Sequence, residues 1–170
     1  MSVPALQRFT TQYSESEDRI RLTGEIDAGR QVELWLTLRM LDRLIPALTQ
    51  WLEKQSSTEL RAEVLQSMAQ KAARDALDPQ AAVQRGNDTP GWLVHAVNLT
   101  PLEHGLLLTF RANDETAGVT LTLQGRPLRQ WLNIVYDQYC KAGWPVTAWP
   151  VWIREIQNAK SSPLPEVVLH

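Results

Sequence analysis

The chain has 170 residues, of which 44% are hydrophobic and 21% charged, so it is long and apolar enough to fold as one domain around a core. Its 8 glycines and 10 prolines exclude a collagen-like or low-complexity protein. The 17 basic and 19 acidic residues give a net charge of −2, which argues against a nucleic-acid partner held by a general basic field. A single cysteine and the lack of a long apolar run predict a soluble, cytoplasmic chain without a membrane partner.

The N-terminal residues 1–18 carry polar side chains throughout and end in a run of serine and acidic residues, which predicts a polar arm. Apolar and polar residues then alternate from Arg19 to Ile26 and again from Gln31 to Leu38, which is the period of a half-buried strand. The turn between these stretches contains Gly29, which can take a positive φ. Together these features predict a β-hairpin.

The hydrophobic period changes to about 3.6 residues after Leu38, and apolar side chains up to Leu52 fall on one helical face. Pro46 lies inside this stretch, which predicts either a kinked helix or two short helices with Pro46 opening the second. Residues 56–59, Ser-Ser-Thr-Glu, match a capping box and predict a second helix over about residues 57–77. The apolar stripe expected to pack this second helix against the first, as an antiparallel hairpin, consists of Leu60, Val64, Leu65, Met68 and Leu77.

Residues 78–91 are rich in proline, glycine and asparagine, and therefore predict a loop. Three strand patterns follow, at Trp92–Leu99, His104–Arg111 and Ala117–Gln124. Pro127 suits the first position of a helix that ends near Gly143, and a short last helix is predicted to begin at Pro150. Residues 159–170 are predicted to form a flexible tail.

The order of these elements predicts an α+β fold, with a mainly antiparallel sheet of about five strands, an inserted helical hairpin at about residues 39–77 and C-terminal helices packed on the sheet. Residues 19–158 form a single domain in this interpretation. A hairpin followed by a helix occurs twice, marked by Leu-Thr-Leu at 36–38 and again at 121–123. The sequence leaves open whether this is a repeated unit or a pair of ordinary strand–helix junctions.

The sequence contains few residues in patterns typical of catalytic, metal-binding or phosphate-binding sites. The three histidines and Cys140 lack the spacing of a metal site, and no glycine-rich phosphate loop or Gly-x-Ser-x-Gly elbow occurs. His95 lies in an apolar strand pattern and is interpreted as a structural histidine. Arg126 and Arg129 lie near the start of a predicted helix, whose free amides can hold an anion, so they form a possible anion-binding site; an ordinary strand-to-helix turn is the alternative. We predict no metal, no cofactor and no catalytic residue.

Tryptophan is the unusual component, with seven residues in the chain. Trp35 falls on the polar face of its strand, which must then be covered by another part of the chain or by another molecule. Trp144, Trp149 and Trp152 lie in a proline-broken segment that either closes the core or exposes its rings at a binding hot spot. These four tryptophans are the candidate partner-binding residues.

These observations favour a non-enzymatic protein-binding or assembly module that self-associates through Trp-bearing surfaces, as a homodimer or larger homo-oligomer. The alternative is a small-molecule-binding regulator or small enzyme. Its pocket would lie between the sheet and the helices, with His95, Arg126 and Arg129 as polar groups. An enclosed pocket with convergent polar side chains distinguishes the second hypothesis from the first.

Overall fold

The computed structural model describes residues 3–55, 62–86, 88–114 and 117–161. In these ranges the chain forms two sheets and four helices, which is an α+β fold. The strands are β1 (Arg8–Ser14), β2 (Arg19–Glu25), β3 (Gln31–Leu36), β4 (Gly91–Leu93), β5 (Ala96–Pro101), β6 (Leu106–Arg111) and β7 (Gly118–Leu123). The helices are α1 (Leu38–Gln55), α2 (Ala62–Asp75), α3 (Gly125–Ala142) and α4 (Val151–Ser161), with one 3-10 turn at Asp27–Gly29.

The first sheet has the strand order β1-β2-β3-β4, in which β4 runs parallel to β3 and the other pairs are antiparallel. The predicted hairpin is present as β2 and β3, and Gly29 between them has a φ of 74°. β1 lies inside the stretch that the sequence predicted to be a polar arm. Its inner side carries Phe9, Thr11 and Tyr13, which contact α3 and the segment after it. With a threonine in the middle, this alternation was too weak to predict a strand.

The second sheet has the order β5-β6-β7 and is antiparallel throughout. The stretch Trp92–Leu99, predicted to be one strand, contributes to both sheets, because its start lies in β4 and its end in β5. Two amides mark the crossing: Val94 donates to the carbonyl of Trp35 in the first sheet, and His95 donates to that of Arg111 in the second. The described residues therefore form two sheets, of four and three strands, and not the predicted single sheet of about five strands.

The two halves of the chain share one architecture. The series β1-β2-β3-α1-α2 and β5-β6-β7-α3-α4 each contain three antiparallel strands, an 18-residue helix and a shorter helix. The second half follows the first by 87 positions, since α1 and α3 begin at 38 and 125. Buried positions keep this spacing: Leu41 and Leu48 of α1 correspond to Leu128 and Val135 of α3. The repeated unit is thus architectural, whereas the Leu-Thr-Leu segments at 36–38 and 121–123 are out of its register by two positions.

Each half also extends the sheet of the other half. β4, which leads into β5, pairs in parallel with β3 of the first sheet. The segment before β1 repeats this arrangement, because Ala5 forms a parallel bridge with Thr120 of β7 and the Leu6 amide donates to the Thr120 carbonyl at 2.8 Å. The exchange joins the halves around a single core, to which both sheets and α1, α3 and α4 contribute buried side chains.

The long helices lie close to their predicted positions, although α3 begins at Gly125, two residues before the predicted start at Pro127. α1 is continuous through Pro46, which excludes the alternative of two short helices. The Thr49 hydroxyl donates to the carbonyls of Ile45 and Pro46 at 3.0 and 3.1 Å. α3 ends at Gly143, which takes a left-handed φ of 67° and caps the helix as predicted.

α2 packs against α3 and α4 instead of forming the predicted antiparallel hairpin with α1. Its inward face is polar, since Gln66 and Gln70 are 2% and 0% exposed. The Gln66 side-chain amide donates to the Leu52 carbonyl at 3.3 Å, and that of Gln70 donates to the Arg129 carbonyl at 2.9 Å. Hydrogen bonding therefore determines which face of α2 is buried. The predicted capping box at 56–59 lies outside the described residues.

Candidate functional site

Three of the four tryptophans predicted to bind a partner are buried within their own chain. Trp144, Trp149 and Trp152 are 8%, 2% and 4% exposed. Trp149 packs edge-on against Tyr136 and Tyr139 at centroid distances of 5.1 and 5.2 Å. The proline-broken segment thus closes the core, which is one of the two alternatives that the sequence left open. These three rings have little surface left to offer a partner.

The indole nitrogens of two of these tryptophans are bonded to carboxylates. Trp144 Nε1 donates to Asp18 Oδ1 at 3.0 Å, and Trp152 Nε1 donates to Glu53 Oε1 at 3.1 Å. A buried N–H without an acceptor is costly, so these bonds hold the rings in place. The acidic turn between β1 and β2, where Asp18 lies, therefore has a structural role in closing the core.

Trp35 is half-buried and lies on the outer face of the first sheet. One side chain from each strand of the sheet shares its row: Gln12, Arg21, Trp35 and Leu93. Leu93 is 42% exposed, and Arg21 donates to Gln12 Oε1 at 3.2 Å on the surface. Trp35 is therefore the one predicted partner-binding tryptophan that keeps part of its ring at the surface. We call these four residues the Trp35 row.

The neighbouring row on the same face is covered by the loop that precedes β4. Val83 of this loop is 5% exposed, and its amide donates to Thr10 Oγ1 at 2.8 Å. Arg85 Nε lies 3.4 Å from the carboxylate of Glu33, which is 1% exposed. The loop with Val83 and Arg85 therefore shields the outer face of β3 next to Trp35 from solvent.

The most exposed apolar surface in the described residues lies on α2. Val64, Leu65 and Met68 are 56%, 42% and 63% exposed, although the sequence predicted them to pack against the preceding helix. Their spacing places them on one side of the helix, and Ala72 extends this side by a further turn. We call Val64, Leu65, Met68 and Ala72 the α2 stripe. It faces solvent because the opposite side of α2 is held inward by its buried glutamines.

The sequence does indicate which side of α2 is buried, although the apolar residues of this helix favour the opposite side. Gln66 and Gln70 are four residues apart and Ala73 follows, so their side chains form a second, polar stripe on the other face of α2. The exposed residues Lys71 and Asp75 have helical spacing to the α2 stripe and place one charge of each sign at its C-terminal end. The α2 stripe is therefore an apolar surface with charged residues at one end.

The two arginines predicted to form an anion site lie at the start of α3 but in different environments. Arg126 is exposed, whereas Arg129 is only 8% exposed. The Arg129 guanidinium donates from Nη2 to Gln66 Oε1 at 2.6 Å and from Nη1 to Gln70 Oε1 at 3.4 Å. It also lies 5.4 Å from the centre of the Trp152 ring. Burial lowers the pKa of Arg129 because it disfavours the charged form.

A cavity of about 390 Å³ opens at the same end of α3. Its walls include Gly125 and Arg129 of α3, Trp51 and Gln55 of α1, and His104 from the turn between β5 and β6. Both halves of the repeat thus contribute to the cavity, and Arg129 brings a buried cation to its wall. Of the three polar residues that the small-molecule hypothesis names, Arg129 lines this open cavity, whereas His95 and Arg126 do not.

The remaining groups with candidate chemistry are dispersed. His95 is exposed at the crossing between the sheets, and the exposed His104 lies 3.6 Å from the Glu103 carboxylate. Partial burial of the thiol and the charge of Asp137 raise the pKa of Cys140, which disfavours the reactive thiolate. Within the described ranges, no group of three or more His, Cys, Asp or Glu side chains is arranged to hold a metal ion. His170 lies outside them.

None of the helices in the described part of the chain combines the length and the hydrophobicity that crossing a bilayer requires. No protein-family model matches the chain, and comparisons with curated proteins and with solved structures find no significant match. Two features of the molecule itself bear on its function: the α2 stripe and the cavity beside Arg129.

Proposed function

We propose that the protein is a non-enzymatic protein-binding module that self-associates through the α2 stripe. The observation that carries this proposal is the exposure of Val64, Leu65 and Met68, which are three large apolar side chains on one side of one helix. Single apolar residues are ordinary on protein surfaces, but a contiguous apolar group bordered by charges is typical of an interaction site. In this proposal the tryptophans stabilise the fold, and α2 provides the contact.

The shape of the α2 stripe favours a second copy of the same helix as the partner. In an antiparallel pair of α2 helices centred near Met68, the middle of the stripe, the two stripes face each other. Val64 of one copy then lies near Ala72 of the other, so apolar side chains meet along the whole stripe. The net charge of −2 adds little repulsion between two copies.

The expected complex is a weak, reversible dimer. Full burial of a Leu, Val or Met side chain contributes about 1.5–3 kcal/mol, and the stripe is only partly buried in such a contact. Association itself costs at least about 4 kcal/mol in lost freedom of motion. The difference is at most about 5 kcal/mol, which corresponds to a dissociation constant on the order of 0.1–1 mM.

Sedimentation velocity of the full chain across a dilution series tests this proposal. The wild type is expected to change from monomer to dimer with increasing concentration. Met68→Glu is expected to remain monomeric, because the dimer would bury a carboxylate. Leu102→Glu is the control, since Leu102 is an exposed apolar residue, at 43%, on the turn after β5 and outside the α2 stripe, and this variant is expected to dimerise like the wild type.

Three results would contradict the proposal. The first is a wild type that stays monomeric at every concentration. The second is equal weakening by Met68→Glu and Leu102→Glu, which would indicate a non-specific contact. The third is a dimer that Leu93→Glu abolishes and Met68→Glu does not, because it would place the interface on the Trp35 row.

A further inference from the structure

The guanidinium of Arg129 is a buried cation whose partners in the described residues are neutral. The side-chain oxygens of Gln66 and Gln70 accept bonds from two of its five N–H groups. Across the described part of the chain, no carboxylate lies within ion-pair distance of this side chain. A buried charge is costly unless an opposite charge compensates it, so an anion that reached this guanidinium would be bound favourably.

The backbone around Arg129 adds positive potential. Arg129 lies in the first turns of an 18-residue helix, whose N-terminus carries a partial positive charge. The first turn of α3 contains no acidic residue, and the N-cap residue Gln124 makes no side-chain bond to the helix amides. Two arginines, Arg126 and Arg129, therefore lie where a helix favours negative charge.

The cavity at this helix start has room for a ligand. Its volume of about 390 Å³ lies within the range of small-molecule sites. A Cβ atom added to Gly125 would meet no atom within 4 Å, so the space beside the first residue of α3 is open. Trp51 and Gln55 form part of the facing wall.

We propose that this cavity binds the carboxylate or phosphate group of a small soluble ligand, with Arg129 as the main binding residue. A guanidinium offers parallel N–H donors that match the oxygen pairs of both anions. Glu103 lines the same cavity and carries an exposed carboxylate 3.6 Å from His104. It repels an incoming anion and limits the affinity. The inference is independent of self-association through α2.

Two-dimensional NMR of the full chain tests the site directly, with sodium phosphate and sodium acetate as separate probes at constant ionic strength. Saturable shifts of the Gly125 amide and the Arg129 side chain with either anion support the proposal. Saturation by acetate alone identifies a carboxylate ligand, and saturation by phosphate alone identifies a phosphate ligand. Linear, unsaturated shifts with both probes, or shifts spread over the whole surface, overturn it.

Three variants separate binding from folding. Arg129→Gln removes the charge but also disturbs its contacts with α2, so Gly125→Leu serves as a second variant that fills the cavity and leaves Arg129 in place. Each is expected to weaken binding at least about tenfold, the effect of losing one charged hydrogen bond. Glu103→Gln is expected to tighten binding severalfold.

The exposed Arg43 of α1 provides a control, and Arg43→Gln is expected to bind like the wild type. Unchanged binding in a folded Gly125→Leu variant would overturn the proposal. Equal weakening by Arg43→Gln would do the same, because it would show that only the overall charge matters.

Discussion

The indole of Trp131 donates a hydrogen bond to the hydroxyl of Thr11 at 3.0 Å, which joins residues 120 positions apart. Both side chains are buried, and Phe9 packs edge-on against the same indole at 6.4 Å. The contact fixes α3 of the second half on β1 of the first half. It belongs to the same arrangement as the exchanged segments at Ala5 and β4, through which each half completes the sheet of the other.

Removing the acceptor of this bond is expected to destabilise the fold. Thr11→Val keeps the shape of the side chain but leaves the Trp131 N–H buried without a partner, at a cost of about 1–3 kcal/mol in unfolding free energy. Thr11→Ser, which keeps the hydroxyl, is the matched control. Urea unfolding measures both variants, and a Thr11→Val protein as stable as the wild type would show that the bond is unimportant.

The burial of the C-terminal tryptophans gives a second prediction. Trp149→Ala is expected to cost about 3–5 kcal/mol, as usual for a large side chain lost from a core. Trp35→Ala is expected to cost less, because Trp35 lies half-buried on the outer face of its sheet. Denaturant unfolding followed by circular dichroism compares the two variants. Equal losses of stability would mean that Trp35 belongs to the core.

The loop over the first sheet gives a third prediction, which concerns Glu33 and Arg85. Arg85→Gln leaves the buried Glu33 carboxylate without its cation, and we expect a loss of about 1–2 kcal/mol. The loss is smaller than for a fully buried pair because the Arg85 side chain is 52% exposed. In a Glu33→Gln background the same substitution is expected to have little effect, since no charge then needs a partner. A double-mutant cycle measured by urea unfolding would contradict this account if the two substitutions were additive.

Alkaline pH is expected to destabilise the protein through Tyr139. Burial, together with the bond from its hydroxyl to Asp42 Oδ1 at 2.9 Å, raises the pKa of Tyr139 far above its ordinary value of 10.0. The folded chain then keeps the phenol protonated while the unfolded chain releases the proton. The unfolding free energy contributed by Tyr139 is therefore complete below pH 10 and falls by about 1.4 kcal/mol per pH unit above it.

The variant Tyr139→Phe isolates this effect. It is expected to show a shallower decline of stability above pH 10 than the wild type, with some decline remaining because the pKa values of Tyr13 and Tyr136 are raised as well. Urea unfolding at several alkaline pH values measures both slopes. Identical slopes would mean that the Tyr139 phenol ionises as easily in the folded chain as in the unfolded one.

Elements that are determined by their own residues, and not by distant partners, were predicted correctly from the sequence. The hairpin of β2 and β3 follows from strict alternation, and Gly29 and Gly143 both take the positive φ that their positions in a turn and a helix cap require. The division of Trp92–Leu99 between two sheets could not be predicted, because every residue of an apolar run is compatible with a buried strand. The point where one strand ends and the next begins depends on pairing with the distant strands β3 and β6.

The candidate surfaces were predicted only in part. Arg129 was correctly placed near a helix start, but its burial depends on Gln66 and Gln70, which come from another helix. Val64, Leu65 and Met68 were predicted to pack against α1 because they are apolar, yet they are exposed. Hydrophobicity alone does not show that two glutamines on the opposite face find acceptors in α1 and α3, and those bonds decide the orientation of α2.

Disulfide trapping on α2 tests the central proposal most directly, because it asks whether the partner of the stripe is the same helix of a second copy. In a Cys140→Ser background, Met68→Cys places a thiol at the centre of the expected contact, where the twofold axis brings the two copies of residue 68 together. Non-reducing electrophoresis after mild oxidation is expected to show a disulfide-linked dimer, whereas Leu102→Cys in the same background lies outside the α2 stripe and is expected to remain monomeric. Equal cross-linking of the two variants, or no cross-linking of Met68→Cys, would contradict this account.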